Sequence, residues 1–128
     1  MPLADSPLEI TEKLGPPDVA FLPLAAGSVI PCIEQLLHIQ LDHQRLTSSV
    51  HCTPEDAVEI HRTMNSRISV GIHWGTFATS RQVGETIRDL ETSCRGAKVG
   101  FRGLDQIQEE TCSEKGFAVV DIGRLLML

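Results

Sequence analysis

The chain contains five histidines, the side chains best suited to metal binding and proton transfer near neutral pH, and one of them follows a strand-like run. Ile68, Val70 and Ile72 alternate with other residues, so residues 67–73 are predicted to form a strand that ends at His73. Functional groups of α/β sheets collect past the C-terminal ends of strands. His73 is therefore a candidate metal ligand. Its spacing alone favours a structural histidine, because nothing else in the segment can ligate.

The elements that position this histidine are outlined by apolar periodicity. The continuous apolar run at 19–22 predicts a strand covered on both faces, and the Gly-Pro-Pro sequence at 15–17 should end the helix before it. Small residues at 25–28 and polar residues at 42–49 indicate loops. The order of the elements predicts an α/β fold. Helices are predicted at residues 8–14, 30–41, 54 to about 65 and 79–96, and strands at 18–24, 67–73, 99–101 and 117–122.

Capping residues mark two of the predicted helix starts. Thr53 followed by Pro54 is predicted to be an N-cap, and Thr79 with Gln82 is predicted to form a capping box. His61 lies on an apolar helix face and is predicted to be structural. The predicted buried faces are Ala57, Ile60, His61 and Met64 in the first of these helices, and Val83, Ile87, Leu90 and Cys94 in the second.

The composition is that of a soluble globular chain forming one domain or part of one, with 128 residues of which 41% are hydrophobic. A net charge of -6 leaves no broad positive field for phosphate backbones, so nucleic acid is not an expected partner. The four cysteines lie at irregular intervals and are predicted to be reduced structural thiols, which favours an intracellular protein. No leader is expected, and no segment approaches the ~20 apolar residues of a membrane span.

Two strings of residues resemble a known family. The sequence H-C-T-P-E-D-A-V at 51–58 and the sequence G-I-H-W-G-T-F at 71–77 are similar to the C-terminal section of hydrolases with the metallo-β-lactamase fold. Among these hydrolases they most resemble the N-acylphosphatidylethanolamine-hydrolysing phospholipases D. The resemblance covers about residues 9–78, and residues 79–128 are interpreted as a C-terminal helix and closing strands of a single partial domain, 1–128.

The resemblance implies a four-layer αββα sandwich that uses zinc to activate water against a phosphodiester. It implies that His73 is the last metal ligand and that His51 is a catalytic residue lining the active site near the substrate. Trp74 and Phe77 would pack beneath this site, and Thr76 would hydrogen-bond nearby. The implied substrate is a phospholipid of the N-acylphosphatidylethanolamine type, or another phosphodiester, which also makes a membrane surface an expected partner.

The chain departs from the family pattern in its metal ligands. The H-x-H-x-D-H motif expected before residue 14 is absent from the 128 residues, as is the bridging aspartate. The string H-I-Q-L-D-H at 38–43 has glutamine for the second histidine and follows the strand that the motif should precede. Its helical pattern favours a chance match, although His38, Asp42 and His43 could ligate a metal together with His73.

Three hypotheses of function follow from these residues. In the first, the chain is the C-terminal portion of a zinc phosphodiesterase and is inactive alone. In the second, it is a non-catalytic folding or interaction module, whose open apolar face would favour a homo-oligomer. In the third, which the sequence favours least, it is an autonomous metal-binding protein built on the 38–43 string.

Overall fold

The computed structural model describes residues 7–24, 52–75, 79–104 and 115–121. The helix predicted at 30–41 and the loops predicted at 25–28 and 42–49 lie outside these ranges. In chain order, the described elements are α1 (Pro7–Leu14), β1 (Val19–Pro23), α2 (Pro54–Met64), β2 (Ile68–Ile72), α3 (Ser80–Gly96), β3 (Phe101–Arg102) and β4 (Gly116–Val119).

The four described strands form one parallel sheet in the order β1-β2-β4-β3. Parallel neighbours require crossover connections, and α2 lies in the crossover from β1 to β2. The next crossover, from β2, contains α3. The predicted α/β class is therefore confirmed.

One face of the sheet packs on α2 and α3. Alternate residues of the central strands point to this face, since side chains of a strand alternate between its two sides. Burial of these apolar side chains supplies the main stabilising free energy, at about 25 cal/mol per Å² of apolar surface. The core consists of Leu22, Leu24, Phe117 and Val119 from the strands and their extensions, Ala57 and Val58 from α2, and Leu90 and Cys94 from α3.

The opposite face of the sheet has a smaller apolar cluster. Ile68 and Val70 of β2 are buried there, with Val19 and Val120 packed against them. Phe21 of β1 is 64% exposed, so the prediction that β1 is covered on both faces is wrong. The continuous apolar run at 19–22 did not predict this exposure. The reason is that β1 is the end strand of the described sheet, where one side chain can face outward without a covering layer.

Helix α2 begins where its capping residues predict. The Thr53 hydroxyl accepts a hydrogen bond from the Asp56 amide at 3.2 Å, and a proline occupies the first turn. The helix ends at Asn65, whose left-handed φ of 52° suits an asparagine. Its buried residues are Ala57, Val58 and His61. Of the predicted face, Ile60 and Met64 are only partly buried, and Val58 was missed, because the helix packs against both the sheet and α3.

Helix α3 also starts as predicted, with the Thr79–Gln82 capping box present. Its predicted stripe holds at Leu90 and Cys94, whereas Val83 and Ile87 are partly buried. Thr86 is buried although its polarity excluded it from the prediction. The helix therefore presents the expected face, rotated slightly toward Thr86.

The short strand β3 begins two residues later and ends one residue later than predicted. Its position follows from a close backbone approach, in which the Phe117 amide donates to the Gly100 carbonyl at 2.8 Å. A Cβ added at Gly116 would lie 2.6 Å from the same carbonyl oxygen. Glycine at 116 is thus required for β3 and β4 to meet.

Helix α1 is short and lies against α2. The Thr11 hydroxyl reaches the Met64 carbonyl at 3.4 Å, and Gly15, with φ of 83°, ends the helix as its sequence predicts. No residue of α1 is buried, and Leu14 is 84% exposed. Its attachment to the core is therefore weak.

Candidate functional site

The candidate site lies at the carboxyl edge of the sheet, where β1, β2 and β4 end side by side. Leu24, just past β1, pairs with Cys52, and the Cys52 amide donates to the Pro23 carbonyl at 2.7 Å. Because α2 starts directly after this bridge, its N-terminus opens at the same edge. This is the edge at which functional groups of parallel sheets gather.

His73 is the first residue after β2 and lies at this edge as predicted. Its backbone has a left-handed φ of 64°, and its side chain is exposed. A non-glycine residue in that conformation costs about 1 kcal/mol. Because sparsely populated conformations cluster at functional sites, this turn is an observation in favour of a functional histidine.

Asp121 leaves the same edge on the neighbouring strand. Gly71 of β2 pairs with Val119 of β4, and His73 and Asp121 each follow two residues later. An imidazole and a carboxylate are thus carried by adjacent strands at one edge. No local motif marks Asp121, since only the β2–β4 register relates it to His73.

A catalytic zinc takes three protein ligands and keeps one open position. Within the ranges 7–24, 52–75, 79–104 and 115–121, no three His, Cys, Asp or Glu side chains lie close enough to hold a metal ion. These residues do not fit a complete zinc site, so no catalytic step can be assigned to zinc from them. His51, His38, Asp42 and His43 lie outside the described ranges.

The residues after His73 are described only in part. Trp74 is half-buried and packs against the core, and its place beneath a substrate site stays a prediction. Thr76 and Phe77 lie outside the described ranges.

Of the two cysteines in the described ranges, Cys52 lies at this edge, and its environment makes it a poor nucleophile. Burial raises its pKa, and the Asp56 carboxylate raises it further. The thiolate, the reactive form, is therefore disfavoured near neutral pH. Cys94 is fully buried, and burial raises its pKa to about 12. Both thiols are free, as predicted for these two positions.

His61 is a structural residue, as predicted. It is 4% exposed, its Nδ1 lies 2.8 Å from the Ser69 hydroxyl, and its ring is tilted against Phe117 at 6.0 Å. Burial lowers its pKa, and the positive charge of Lys115 lowers it further. The imidazole is therefore neutral near pH 7. It provides a hydrogen-bond partner for the buried Ser69 hydroxyl.

A second concave site, which the sequence did not reveal, lies at the opposite edge of the sheet. It is a cavity of about 340 Å³ whose lining includes Arg62, Asn65, Lys98 and Lys115. Arg62 lies in the last turn of α2, Asn65 and Lys98 follow α2 and α3, and Lys115 precedes β4, so these residues converge at the amino edge. They are up to 53 positions apart in the chain, from 62 to 115, which is why no local motif marks them.

The chain thus has an α/β fold with a parallel sheet and carries a histidine at the carboxyl edge of that sheet. No protein-family model matches the chain, and no solved structure matches it. The chain is similar to N-acyl-phosphatidylethanolamine-hydrolyzing phospholipase D 1 of Caenorhabditis elegans, with 36% identity over 117 residues. The match covers 91% of this chain and 26% of the relative. The chain thus spans about a quarter of that protein's length, and the predicted resemblance is supported as a partial relationship.

Proposed function

We propose that the chain contributes part of a zinc-dependent hydrolase of the metallo-β-lactamase fold. In this proposal His73 is a metal ligand, and His51 lines the active site near the substrate. The substrate is a phosphodiester of the N-acylphosphatidylethanolamine type, met at a membrane surface. Residues 1–128 form a single partial domain, and the parallel sheet is one of the two sheets of an αββα sandwich.

The observation that carries this proposal is the 36% identity to a phospholipase D over 91% of the chain. The aligned 117 residues extend beyond the 9–78 stretch that carries the resemblance, so the similarity includes part of the region after α2 and β2. The strained backbone at His73 and its place at the carboxyl edge are the features expected of a ligand held in a fixed direction.

The same proposal predicts little activity for the 128-residue chain alone. The described residues supply His73 without two further ligands close to it, and a lone imidazole holds zinc weakly. The remaining ligands of a working site would come from residues outside those the structure describes.

A chimaera tests the catalytic assignment. The segment of the C. elegans phospholipase D to which this chain aligns is replaced by this chain, and hydrolysis of N-acylphosphatidylethanolamine is measured. We expect an active chimaera in which His73→Ala lowers kcat/KM by more than about 100-fold, because a metal ligand is lost. His38→Ala serves as the matched histidine control. It should change kcat/KM by no more than about twofold, because the proposal assigns His38 no role in the metal site.

An active chimaera that tolerates His73→Ala would overturn the ligand assignment. Loss of activity on His38→Ala, with the fold retained, would instead support a metal site at the 38–43 string. A chimaera that fails to fold is replaced by a second measurement on the 128-residue chain itself. In that measurement, zinc is titrated while imidazole signals are followed by NMR, and the His73 signal should move before that of His61.

The alternative is a non-catalytic interaction module, and the exposed Phe21 favours it. A large apolar side chain on the outer face of an end strand is a contact site for a second sheet or a second copy. Sedimentation of the 128-residue chain distinguishes the proposals. A concentration-dependent dimer that Phe21→Glu returns to monomer, together with no metal response at His73, would favour the module.

A further inference from the structure

The cavity at the amino edge of the sheet is separate from the candidate hydrolase site. His73 follows the last residue of β2, whereas Lys115 immediately precedes the first residue of β4. Because β2 and β4 are parallel neighbours, these two positions lie at opposite ends of the strands. A function of the cavity would therefore be distinct from chemistry at His73.

The lining of this cavity is strongly basic for an acidic chain. Arg62, Lys98 and Lys115 line it, and none of the other described lining residues is acidic, although the whole chain has a net charge of -6. Two of the three lysines in the sequence are at this site. Asn65 and His61 add an amide and an imidazole to the same wall.

The negative ends of two helices balance only part of this positive charge. The cavity lies at the C-termini of α2 and α3, and each helix end carries about half a negative charge that nearby cations stabilise. Glu59 adds one negative charge, 3.8 Å from Arg62, in a pair whose two side chains are mostly exposed. Among the described residues, three cations thus face about two negative charges, which leaves about one positive charge unbalanced.

Two of the polar residues at the cavity lie on sharp backbone turns, and one hydrogen bond joins its two walls. Asn65 and Lys98 both have left-handed φ values, 52° and 57°, at the turns that end α2 and α3. The Lys115 ammonium donates a hydrogen bond to the Asn65 side-chain oxygen, which joins the two walls. A site whose donors are already oriented loses less conformational entropy when a ligand binds.

We propose that this cavity binds a phosphate group. Ammonium, guanidinium and amide donors converge there, and they suit an oxyanion that carries more than one negative charge and several acceptor oxygens. At about 340 Å³ the cavity exceeds a bare phosphate and admits the group attached to a small organic residue. The phosphate belongs either to a small phosphorylated molecule or to a phospholipid headgroup.

Binding of defined phosphates to the 128-residue chain tests this proposal. Inorganic phosphate and glycerol 3-phosphate are titrated while backbone amide signals are followed by NMR, with chloride at equal ionic strength as the reference. We expect saturable shifts at residues 62–65, 97–100 and 115–116. The double variant Lys98→Gln/Lys115→Gln should bind at least about tenfold more weakly, which corresponds to about 1.4 kcal/mol.

Lys13→Gln on α1 is the matched control, since Lys13 is the third lysine and does not line the cavity. It should bind phosphate as the parent chain does. Asn65→Gly retains the left-handed turn while removing the amide, and should weaken binding without unfolding the chain. Equal weakening by Lys13→Gln and by the double variant, or shifts that do not saturate, would overturn the proposal.

Vesicles distinguish the two sources of phosphate. The chain is sedimented with vesicles of phosphatidylcholine alone and of phosphatidylcholine with phosphatidic acid. Binding to phosphatidic acid that the double variant loses identifies a headgroup site, whereas binding of glycerol 3-phosphate alone identifies a soluble ligand. Binding of neither contradicts the proposal, whatever the outcome at His73.

Discussion

The two edges of the parallel sheet differ in both charge and completeness. The carboxyl edge carries a strained and exposed His73 and, beside β1, a Cys52 thiol that burial keeps protonated. At the amino edge, three cations and an amide enclose a cavity of about 340 Å³. The first edge resembles a fragment of a reactive site, and the second is a binding site formed by described residues.

This difference follows from the geometry of parallel sheets. Helix N-termini open at the carboxyl edge and favour anions, whereas helix C-termini lie at the amino edge and favour cations. A metal site at the carboxyl edge needs ligands from several strand ends and loops. A cationic cavity at the amino edge needs only the last turns of two helices and the starts of two strands. The amino edge can therefore be complete when the carboxyl edge is not.

The largest expected effect comes from a substitution that prevents the close approach of β3 and β4. Gly116→Ala places a Cβ 2.6 Å from the Gly100 carbonyl oxygen, which is backbone and can move little. We expect the free energy of unfolding to fall by about 2–3 kcal/mol in urea unfolding, because overpacking forces the backbone apart. Phosphate binding at the amino edge should weaken, while the zinc response of His73 persists.

Gly84→Ala provides the control for Gly116→Ala. Gly84 lies inside α3, and an added Cβ there meets no atom within 4 Å. Alanine should stabilise the helix by about 0.5–1 kcal/mol. If Gly116→Ala is equally harmless, then the strands do not approach as closely as the fold requires.

The buried pair His61 and Ser69 joins α2 to β2. His61→Leu leaves the Ser69 hydroxyl buried without its partner, and we expect a loss of about 2 kcal/mol in unfolding free energy. Adding Ser69→Ala should recover most of that loss, because the unsatisfied group is removed with it. A double variant as unstable as His61→Leu would show that packing of the imidazole, rather than its hydrogen bond, sets the cost.

The same pair predicts a pH dependence. Because burial and Lys115 lower the pKa of His61, the folded chain binds its proton less readily than the unfolded chain does. Stability should therefore be complete above the unfolded pKa and fall as the pH drops below it. Urea unfolding at pH 7.5 and 5.5 measures the difference, and His61→Leu should reduce it. An unchanged difference would mean that other groups carry the acid sensitivity.

The smallest expected effect is a gain of stability at the carboxyl edge. His73→Gly relieves the left-handed strain at φ 64°, and we expect the unfolding free energy to rise by about 0.5 kcal/mol after the entropic cost of glycine. The zinc response should disappear at the same time. Asn65→Gly, the corresponding change at the amino edge, should gain less because asparagine tolerates this conformation. A destabilised His73→Gly chain would assign His73 a structural role.

Local signals in the sequence were sufficient for the helix starts, the strand β2 and the α/β class. Thr53 and Thr79 cap their helices because an N-cap needs only a side chain and an amide three residues later. His73 directly follows β2, close to the predicted strand end, because alternation along five residues defines a strand and its limit to within a residue. Such features involve neighbours in the chain and can therefore be predicted from it.

Only the tertiary structure decided what lies beside these elements. The exposure of Phe21 depends on β1 being the end strand of the described sheet, and the cationic cavity depends on residues from 62 to 115 meeting at one edge. The sequence by itself determined where His73 stands and which family it resembles. The groups that lie beside His73, and the basic cavity at the other end of the strands, depend on strand order and register. Strand order and register are set by contacts between residues that are distant in the chain.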